Sequence, residues 1–191
     1  MEGLAQSEEA RLRRSHAEVK ASLLDRHIVF VGFMGAGKSS LAKLTAGRLG
    51  RRWFDSDELA VARSGRSIEE FFAAGDEAAF RALEKQVIAD LLDEEPGVIS
   101  LGGGALEDSE TRRRVFERAF VIHLAVSWRD VQNGLPKLQR TRPLLKDRSE
   151  GEIHELYLRR QMTYREAHVR IRMPRGDRAA TVDRLLSVLA K

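Results

Sequence analysis

The chain has 191 residues, 42% of them apolar, which is enough for one domain with a buried core. Its net charge of +4 is small against 33 basic and 29 acidic residues, so the sequence favours small anions over nucleic acid as ligands. No cysteine is present, which excludes disulfides, thiolate metal sites and cysteine nucleophiles. The N-terminal residues carry no apolar signal segment and no uncharged apolar run is long enough to span a membrane, so we expect a soluble, cytoplasmic protein with no membrane partner. We also expect a monomer with no nucleic-acid partner.

The N-terminal segment differs in pattern from the rest of the chain. Residues 7–24 alternate charged side chains with isolated aliphatic ones, which predicts an exposed helix. We therefore expect residues 1–26 to form a helical extension and residues 27–191 to form the main domain. The extension is either a solvated appendage or a contact surface, and the sequence leaves both interpretations open.

A glycine-rich segment, residues 32–39 (GFMGAGKS), follows a strand predicted at 27–32 and precedes a helix predicted at about 38–49. Its spacing matches the P-loop, whose glycines let backbone N–H groups turn inward around a polyphosphate. Lys38 would reach the β- and γ-phosphates and Ser39 would ligate Mg²⁺. A glycine-rich turn that happens to carry a lysine is the alternative, but the flanking strand and helix favour the P-loop. The residues expected to hold ATP here are Gly35, Ala36, Gly37, Lys38, Ser39 and Ser40.

Acidic residues follow the next predicted strand, at 52–55. A helix is expected to begin directly after it, with the Ser56 hydroxyl as candidate N-cap. Asp55 and Asp57 flank this helix start. An acidic residue in a first turn is favoured by the helix dipole alone, so Asp57 has a structural interpretation as well as a functional one.

The rest of the chain alternates helices and strands. Apolar residues at helical spacing between 68 and 92 are interrupted near Gly75, which predicts two helices that meet there. Continuous apolar runs predict strands that are covered on both faces, as in a parallel sheet. The remaining predicted elements are strands at 97–101, 119–126 and near 168–172, helices at about 150–166 and 179–190, and a mobile loop at 134–150.

This alternation predicts an α/β sandwich around a parallel sheet, with ligands bound outside the carboxyl ends of the strands. The P-loop, Asp55 to Asp57, and Gly102 to Gly104 all follow predicted strands, so we expect them at one edge of the sheet. The three glycines could also be a plain loop, since glycine often ends strands. The five histidines show no metal-ligand spacing, so the sequence does not indicate a zinc site or a catalytic histidine.

Five further short motifs follow the P-loop in a fixed order. They are Asp55-Ser56-Asp57, Phe80-Arg81 flanked by Glu77 and Glu84, Leu101-Gly102-Gly103-Gly104-Ala105, Arg142-Pro143-Leu144-Leu145, and Arg160 one helical turn before Tyr164. This ordered set resembles the shikimate kinase family between about residues 27 and 172. The resemblance implies a three-layer P-loop kinase fold with a parallel five-stranded sheet, similar to that of nucleoside monophosphate kinases. It also implies transfer of the γ-phosphate of ATP to the 3-hydroxyl of shikimate, with Mg²⁺ as cofactor, in chorismate and aromatic amino acid biosynthesis.

The resemblance assigns roles on the acceptor side of the reaction. Asp57 would hold shikimate hydroxyls and orient or deprotonate the nucleophile. Arg81 and Arg160 would clamp the shikimate carboxylate, and Gly103 would present its backbone to the substrate, with helices at about 56–93 forming much of the binding site. The chemistry suits these residue types, because a guanidinium pairs bidentately with a carboxylate and Asp accepts hydrogen bonds from hydroxyls.

The resemblance also assigns the phosphate side. Arg142 would close over the phosphates from a lid at about 134–150, and Asp55 would lie near the Mg²⁺ that Ser39 ligates. One lysine, one mobile arginine and one Mg²⁺ are sufficient for phosphoryl transfer, which depends on positioning and charge stabilisation. The expected catalytic residues are Lys38, Asp57 and Arg142.

Several of these residues have a structural alternative. Arg160 lies beside Arg159 on a charged helix face, where a solvated side chain is the default. Phe72 and Phe80 fall where the family has pocket aromatics, but core positions are the usual fate of aromatic residues at helical spacing. Arg81 is expected to pair with glutamates on its own helix as well as with a ligand.

The chain departs from the family pattern in three places. Gly75 lies one residue earlier than usual relative to Glu77, which indicates a shifted turn. Residues 132–137 replace a helical stretch that usually carries another arginine, which puts the lid conformation in doubt and makes Arg140 a candidate for a second phosphate contact. Residues 173–178 assign no adenine contact.

Two other functions are compatible with a P-loop. One is phosphorylation of another small acid, such as gluconate, on the same fold. The other is a nucleotide-binding switch or a catalytically lapsed kinase that acts through partners. The chain has no Asn-Lys-x-Asp or Thr-Lys-x-Asp segment, which disfavours a guanine-nucleotide switch, and it keeps the full set of kinase residues.

Overall fold

The structure, a computed structural model, describes residues 25–172 and 178–189. Five parallel strands form one sheet in the order β2-β3-β1-β4-β5, which confirms the predicted α/β fold. The predicted helix at 7–24 and residues 173–177, part of the segment that assigns no adenine contact, lie outside the described residues. The strands are β1 (His27–Val31), β2 (Trp53–Asp55), β3 (Val98–Ser100), β4 (Ala119–Ala125) and β5 (Val169–Arg172).

Helices alternate with these strands along the chain. Two 3-10 turns, at Ala105–Glu107 and Pro143–Leu145, lie between them. The helices are α1 (Lys38–Leu49), α2 (Ser56–Ser64), α3 (Ile68–Ala73), α4 (Glu77–Asp93), α5 (Ser109–Arg118), α6 (Trp128–Thr141), α7 (Glu150–Tyr164) and α8 (Arg178–Leu189).

The central strand β1 fixes the position of the P-loop. Phe30 pairs with Ser100 of β3 on one side, and Val31 pairs with His123 of β4 on the other. The chain leaves β1 between two strands that come later in the sequence, which is the switch point where parallel sheets bind ligands. The P-loop therefore opens at the carboxyl edge of the sheet, between β3 and β4.

Both faces of the sheet are covered, which explains the continuous apolar runs. All residues of β1 and of β4 are buried. On one face Phe30 and Ile122 pack with Leu41 of α1 and Val182 of α8. The opposite face packs with α4 and α5. A third apolar cluster joins the P-loop to α6 and α7, and its members are Phe33, Met34, Val131, Leu135, Leu138, Leu145, Ile153, Leu156 and Tyr157.

The start of α2 corrects one prediction. Asp55, not Ser56, is the N-cap, because its carboxylate accepts hydrogen bonds from the backbone N–H groups of Asp57 (3.0 Å) and Glu58 (3.4 Å). The Ser56 hydroxyl instead accepts a hydrogen bond from the Gly102 N–H at 2.9 Å. The cap thus ties the acidic segment to the end of β2.

The predicted loop at 134–150 is wrong over its first half. α6 continues to Thr141 despite the proline inside it, and α7 begins at Glu150. Val131, Leu135 and Leu138 lie about one turn apart on α6 and are buried in the cluster that contacts the P-loop, and this burial outweighs the backbone hydrogen bond that a proline removes. Residues 132–137, whose sequence differs from the family's usual helical stretch, are therefore helical in this chain as well. The role of residues 134–150 as a lid stays a prediction.

Two smaller findings complete the fold. The break between α3 and α4 is confirmed at Gly75, whose φ of 73° is left-handed, the region that favours glycine. Helix α5 was not predicted. Within the described residues, no helix has the length and apolar character to cross a membrane.

Candidate active site

A cleft of about 450 Å³ lies at the carboxyl edge of the sheet. Its walls carry the side chains predicted to bind the acid substrate and those predicted to bind the phosphates. The remaining predicted ATP contacts, Gly35, Ala36, Gly37 and Ser40, belong to the P-loop turn and the start of α1. Phe72 and Phe80 line the same cleft. The predicted site residues on its walls are Lys38, Ser39, Asp55, Asp57, Arg81, Gly103, Arg142 and Arg160.

The P-loop has the backbone geometry of a phosphate cradle. Gly35 and Gly37 have φ values of 81° and 86°, which side-chain-bearing residues rarely adopt. A Cβ at Gly32 would lie 2.6 Å from the Leu124 carbonyl oxygen, so only glycine fits between β1 and β4. Helix α1 has no side-chain cap and no acidic residue in its first turn. Its first N–H groups and its dipole are therefore available to an anion.

The Lys38 ammonium lies inside this cradle. It donates hydrogen bonds to the carbonyl oxygens of Gly32 (3.0 Å) and Phe33 (3.4 Å). Burial lowers the pKa of Lys38 to about 8, although the nearby carboxylates of Asp57 and Asp55 act in the opposite direction. A bound phosphate would add negative charge beside the ammonium and favour its protonated form.

Two oxygen groups lie next to Lys38. The Ser39 hydroxyl donates a 2.6 Å hydrogen bond to the Asp55 carboxylate and is 3.3 Å from the Ser100 hydroxyl. These hard oxygen donors fit Mg²⁺, which is typically held by one or two protein oxygens together with substrate phosphates and water. Within the described part of the chain, no group of three or more His, Cys, Asp or Glu side chains could hold a metal by itself.

The half-buried carboxylate of Asp57 and the buried carboxylate of Glu84 converge on the same side of Gly102. Oδ1 of Asp57 and Oε1 of Glu84 both lie where a Cβ on that glycine would be. Burial raises the pKa of each carboxyl, and the opposite charge of Arg81 partly offsets this. Arg81 donates to Glu84 at 2.7 Å and to Glu77 at 3.3 Å, which confirms the expected pairing on its own helix.

The structure excludes a solvated role for Arg160. Its side chain is only 1% exposed, so the solvated role is wrong. One terminal nitrogen lies 3.3 Å from the Glu107 carboxylate. Among the described residues, Nε and Nη1 of Arg160 have no hydrogen-bond partner. Burying a cation with unsatisfied donors is costly, which indicates a site built for an anionic ligand.

The glycines after β3 bring the two arginines together. A Cβ at Gly104 would lie 2.8 Å from Nη1 of Arg81 and 3.0 Å from Nη2 of Arg160. A Cβ at Gly103 would lie 3.1 Å from Nη1 of Arg160. The missing side chains leave room for both guanidinium groups beside the backbone. Such a pair of cations is suited to binding a carboxylate.

The remaining predicted residues differ in their surroundings. Phe80 is 3% exposed and packs against Phe72 with ring centroids 6.1 Å apart, so these residues combine core and pocket roles. Arg142 is exposed at the end of α6, where it faces the cleft. Arg140 is also exposed, and it is absent from the described cleft wall, so its phosphate contact stays a prediction.

Glu107, which holds Arg160 from a 3-10 turn, is a site residue that no sequence motif indicates. Tyr164 is part of a motif, but its own contact is not predicted: its hydroxyl donates a 2.7 Å hydrogen bond to the Gly103 carbonyl. Both contacts join segments more than fifty residues apart, so local spacing carries no signal for them. The one available clue for Tyr164 was its position one turn after Arg160.

Comparison with known proteins agrees with this geometry. The family described as shikimate kinase matches residues 34–190. Curated shikimate kinases of Geobacter metallireducens and Bacillus licheniformis are 40% identical over 147 residues (76% of this chain, 82% of the relative) and 31% identical over 172 residues (90% and 97%).

Solved structures give the same result. A shikimate kinase from Acinetobacter baumannii in complex with shikimate superposes with a TM-score of 0.80 at 29% identity, covering 90% of this chain and 96% of that one. The enzyme from Aquifex aeolicus gives a TM-score of 0.73 at 31% identity, with 85% and 95% covered. A gluconokinase from Sinorhizobium meliloti, at 19% identity and a TM-score of 0.52, covering 87% and 93%, shares the fold alone. With its P-loop, its paired arginines and a family match over most of its length, the chain belongs to the shikimate kinase family.

Proposed function

We propose that the chain transfers the γ-phosphoryl group of ATP to the 3-hydroxyl of shikimate, with Mg²⁺ as cofactor, and makes shikimate 3-phosphate. The observation that carries the proposal is the buried guanidinium of Arg160, which shares one cleft with Lys38 of the P-loop. In the reaction a bond forms between the acceptor oxygen and the γ-phosphorus, and the bond from that phosphorus to the β–γ bridging oxygen breaks. The hydroxyl loses its proton and ADP leaves.

On the acceptor side, the shikimate carboxylate binds between Arg81 and Arg160. Support comes from their convergence at Gly104 and from the unsatisfied donors of Arg160 among the described residues. The glutamates beside Arg81 hold its guanidinium in place, so less entropy is lost when the substrate binds. Gly103 lies against this pair and offers backbone groups to the ring.

Asp57 holds the hydroxyls of shikimate and orients the 3-hydroxyl towards the phosphate. Its carboxylate lies in the cleft, on the first turn of α2, and interacts electrostatically with Lys38 and Arg142. It can accept a hydrogen bond from the nucleophile and take its proton as the new bond forms. This dual role rests on position, because the Asp57 carboxylate lines the same cleft as Lys38 and interacts with its ammonium, whereas Asp55 is bound to Ser39.

On the donor side, the N–H groups of the P-loop and of the first turn of α1 bind the phosphates, and Lys38 neutralises the charge that develops on the γ-phosphoryl group. Ser39 and Asp55 would hold Mg²⁺, which would supply positive charge to neutralise the phosphates. Arg142 moves from its exposed position at the end of α6 to contact the phosphates when the exposed part of the predicted lid, 134–150, closes around it, while Leu135, Leu138 and Leu145 stay packed in the core.

The closest rival is phosphorylation of a flexible sugar acid on the same fold. A rigid ring fixes the distance between its carboxylate and its hydroxyls, and the buried, glutamate-held arginines match such a fixed distance better than a flexible chain. A nucleotide switch is less well supported, because it has no use for a buried anion site beside the P-loop.

The test is a coupled assay of ADP release from ATP and Mg²⁺. We expect release to require shikimate, to be much slower with gluconate, and to be nearly abolished by Lys38→Ala. Lys43→Ala is the matched control, because Lys43 lies on the same helix but is exposed, does not line the described cleft, and has its ammonium over the Trp53 ring. ADP release that does not depend on shikimate, or that depends on gluconate instead, would overturn the proposal.

A further inference from the structure

Tyr164, at the end of α7, lies directly behind the acid-binding part of the cleft. Its hydroxyl donates a 2.7 Å hydrogen bond to the carbonyl oxygen of Gly103. It does not line the cleft itself, and it is located one helical turn after Arg160. The same helix therefore holds both a guanidinium of the site and the donor that contacts the glycine segment.

The phenol has little freedom to move. Tyr164 is 3% exposed and belongs to the apolar cluster beneath β1 and β4. Its ring packs against the buried imidazole of His123 with centroids 4.9 Å apart. Burial raises the pKa of the Tyr164 hydroxyl, so the group stays protonated and keeps its role as donor. The ring is thus a fixed anchor on the core side of the cleft.

The glycine segment that Tyr164 contacts has no side chains of its own to hold it in place, and residues without a Cβ lose the most conformational entropy on ordering. Its other hydrogen bonds are local or come from α2. The Gly102 N–H donates to Ser56 at 2.9 Å, and the carbonyls of Gly102 and Gly104 accept from the following 3-10 turn. The bond to the Gly103 carbonyl is the one that links this segment to α7.

We propose that Tyr164 is a positioning residue for the acid substrate, which fixes the Gly103 peptide relative to the Arg160 guanidinium through its hydrogen bond to the Gly103 carbonyl. This inference rests on the proposed function, in which Arg160 and Gly103 bind one carboxylated ligand. Without this hydrogen bond, the Gly103 peptide can rotate or shift. The distance between that peptide and the Arg160 guanidinium then varies, and the substrate carboxylate is bound less well. The effect falls on binding of the acid, not on binding of ATP.

The chain contains its own matched control. Tyr157 is the other tyrosine, it lies two turns earlier on the same helix, and its hydroxyl donates a 2.9 Å hydrogen bond to the Val126 carbonyl. It is 9% exposed and is not part of the cleft wall. Tyr164→Phe and Tyr157→Phe therefore each remove one tyrosine hydroxyl that donates to a backbone carbonyl after a strand, but only the first does so at the acid site.

The experiment measures kcat and the KM of both substrates for wild type and the two variants, together with Tm. We expect Tyr164→Phe to raise the KM for shikimate about five- to tenfold, the effect of roughly one net hydrogen bond, and to leave the KM for ATP unchanged. Each variant loses one hydrogen bond to a backbone carbonyl, so Tm should fall by a similar amount in both. Tyr157→Phe should leave the KM for shikimate unchanged.

Equal KM values for shikimate in the two variants, or a rise for both substrates in Tyr164→Phe, would overturn the positioning role. Wild-type protein that shows no shikimate-dependent ADP release would overturn the proposed function and this inference with it. The two failures are therefore distinguished by the wild-type assay.

Discussion

The carboxylates of Asp57 and Glu84 meet on the same side of Gly102, at the point where a side chain on that residue would begin. Glu84 is 3% exposed and is bound through its other oxygen to Arg81, so it has little room to withdraw. A glycine is therefore required here for a steric reason that involves the proposed catalytic carboxylate. The requirement is independent of the conformational freedom that glycine also provides.

The first prediction follows from this contact. Gly102→Ala should displace Asp57 and lower kcat/KM for shikimate by about 10²-fold, because small misplacements of reacting groups have effects of that size. Gly47→Ala is the control, since Gly47 is exposed within α1 and a Cβ there meets no atom within 4 Å. That variant should keep full activity and gain about 0.5–1 kcal/mol of stability. Wild-type kinetics in Gly102→Ala would show that the carboxylates can adjust freely.

Glu107 should stabilise the fold by pairing with a buried cation. Partial burial acts to raise the pKa of Glu107, but Arg160 and Arg159 outweigh it and hold the pKa below its usual value. Glu107→Ala removes the acidic partner of Arg160 and should cost about 1–3 kcal/mol in the free energy of unfolding. Shikimate should raise Tm of this variant more than that of wild type, because its carboxylate replaces the lost partner.

Glu110→Ala is the control for this measurement. Glu110 lies close in sequence, but its side chain is exposed and pairs with an exposed lysine, Lys85. Such surface pairs contribute little, so Tm should hardly change. If Glu107→Ala behaved like Glu110→Ala in denaturant unfolding, the Arg160 pair would not be structurally important.

His123 should make the protein sensitive to acid. Burial lowers the pKa of this imidazole to about 4 in the folded state, against about 6.5 in the unfolded chain. The unfolded state therefore binds a proton first as pH falls, and stability is lost between about pH 6.5 and pH 4, by up to about 1.4 kcal/mol per pH unit. His123→Phe keeps an aromatic ring against Tyr164 and should flatten the plot of stability against pH in this window. Parallel plots for variant and wild type would contradict the assignment.

Much of the fold could be predicted from sequence because local pattern and tertiary environment agree there. The apolar residues 27–31 form a strand that is buried on both faces. The glycines between this strand and Lys38 match the turn that the backbone makes there. The sequence predicts a loop where α6 continues, because a proline such as Pro136 disfavours a helix interior, although the apolar spacing of Val131, Leu135 and Leu138 is that of a helix. Helix α5 has few apolar residues, and its main signal was the cap at Asp108.

The site was less predictable where it depends on distant packing. Asp57 and Arg81 could be selected from motif order, but the burial of Arg160 could not, since the charged and exposed Arg159 lies directly beside it. The pairing of Arg160 with Glu107 arises only when a 3-10 turn packs against α7. Charged residues along a helix usually indicate an exposed face. This rule does not hold for Arg160, because it is buried at a site suited to an anionic ligand.

The most direct test of the account compares Arg160→Lys with Arg159→Lys. The neighbouring arginines contact the same carboxylate, Glu107, but the side chain of Arg159 is 64% exposed and that of Arg160 is 1% exposed. Lysine keeps the charge and loses the planar fork that pairs with a carboxylate. The KM values for shikimate and for ATP should therefore be measured in both variants.

We expect Arg160→Lys to raise the KM for shikimate about 10–100-fold with little change in the KM for ATP, and Arg159→Lys to match wild type for both substrates. This result would confirm that a buried guanidinium beside the P-loop recognises the acid. An unchanged KM for shikimate in Arg160→Lys, or equal effects on the two substrates, would contradict it.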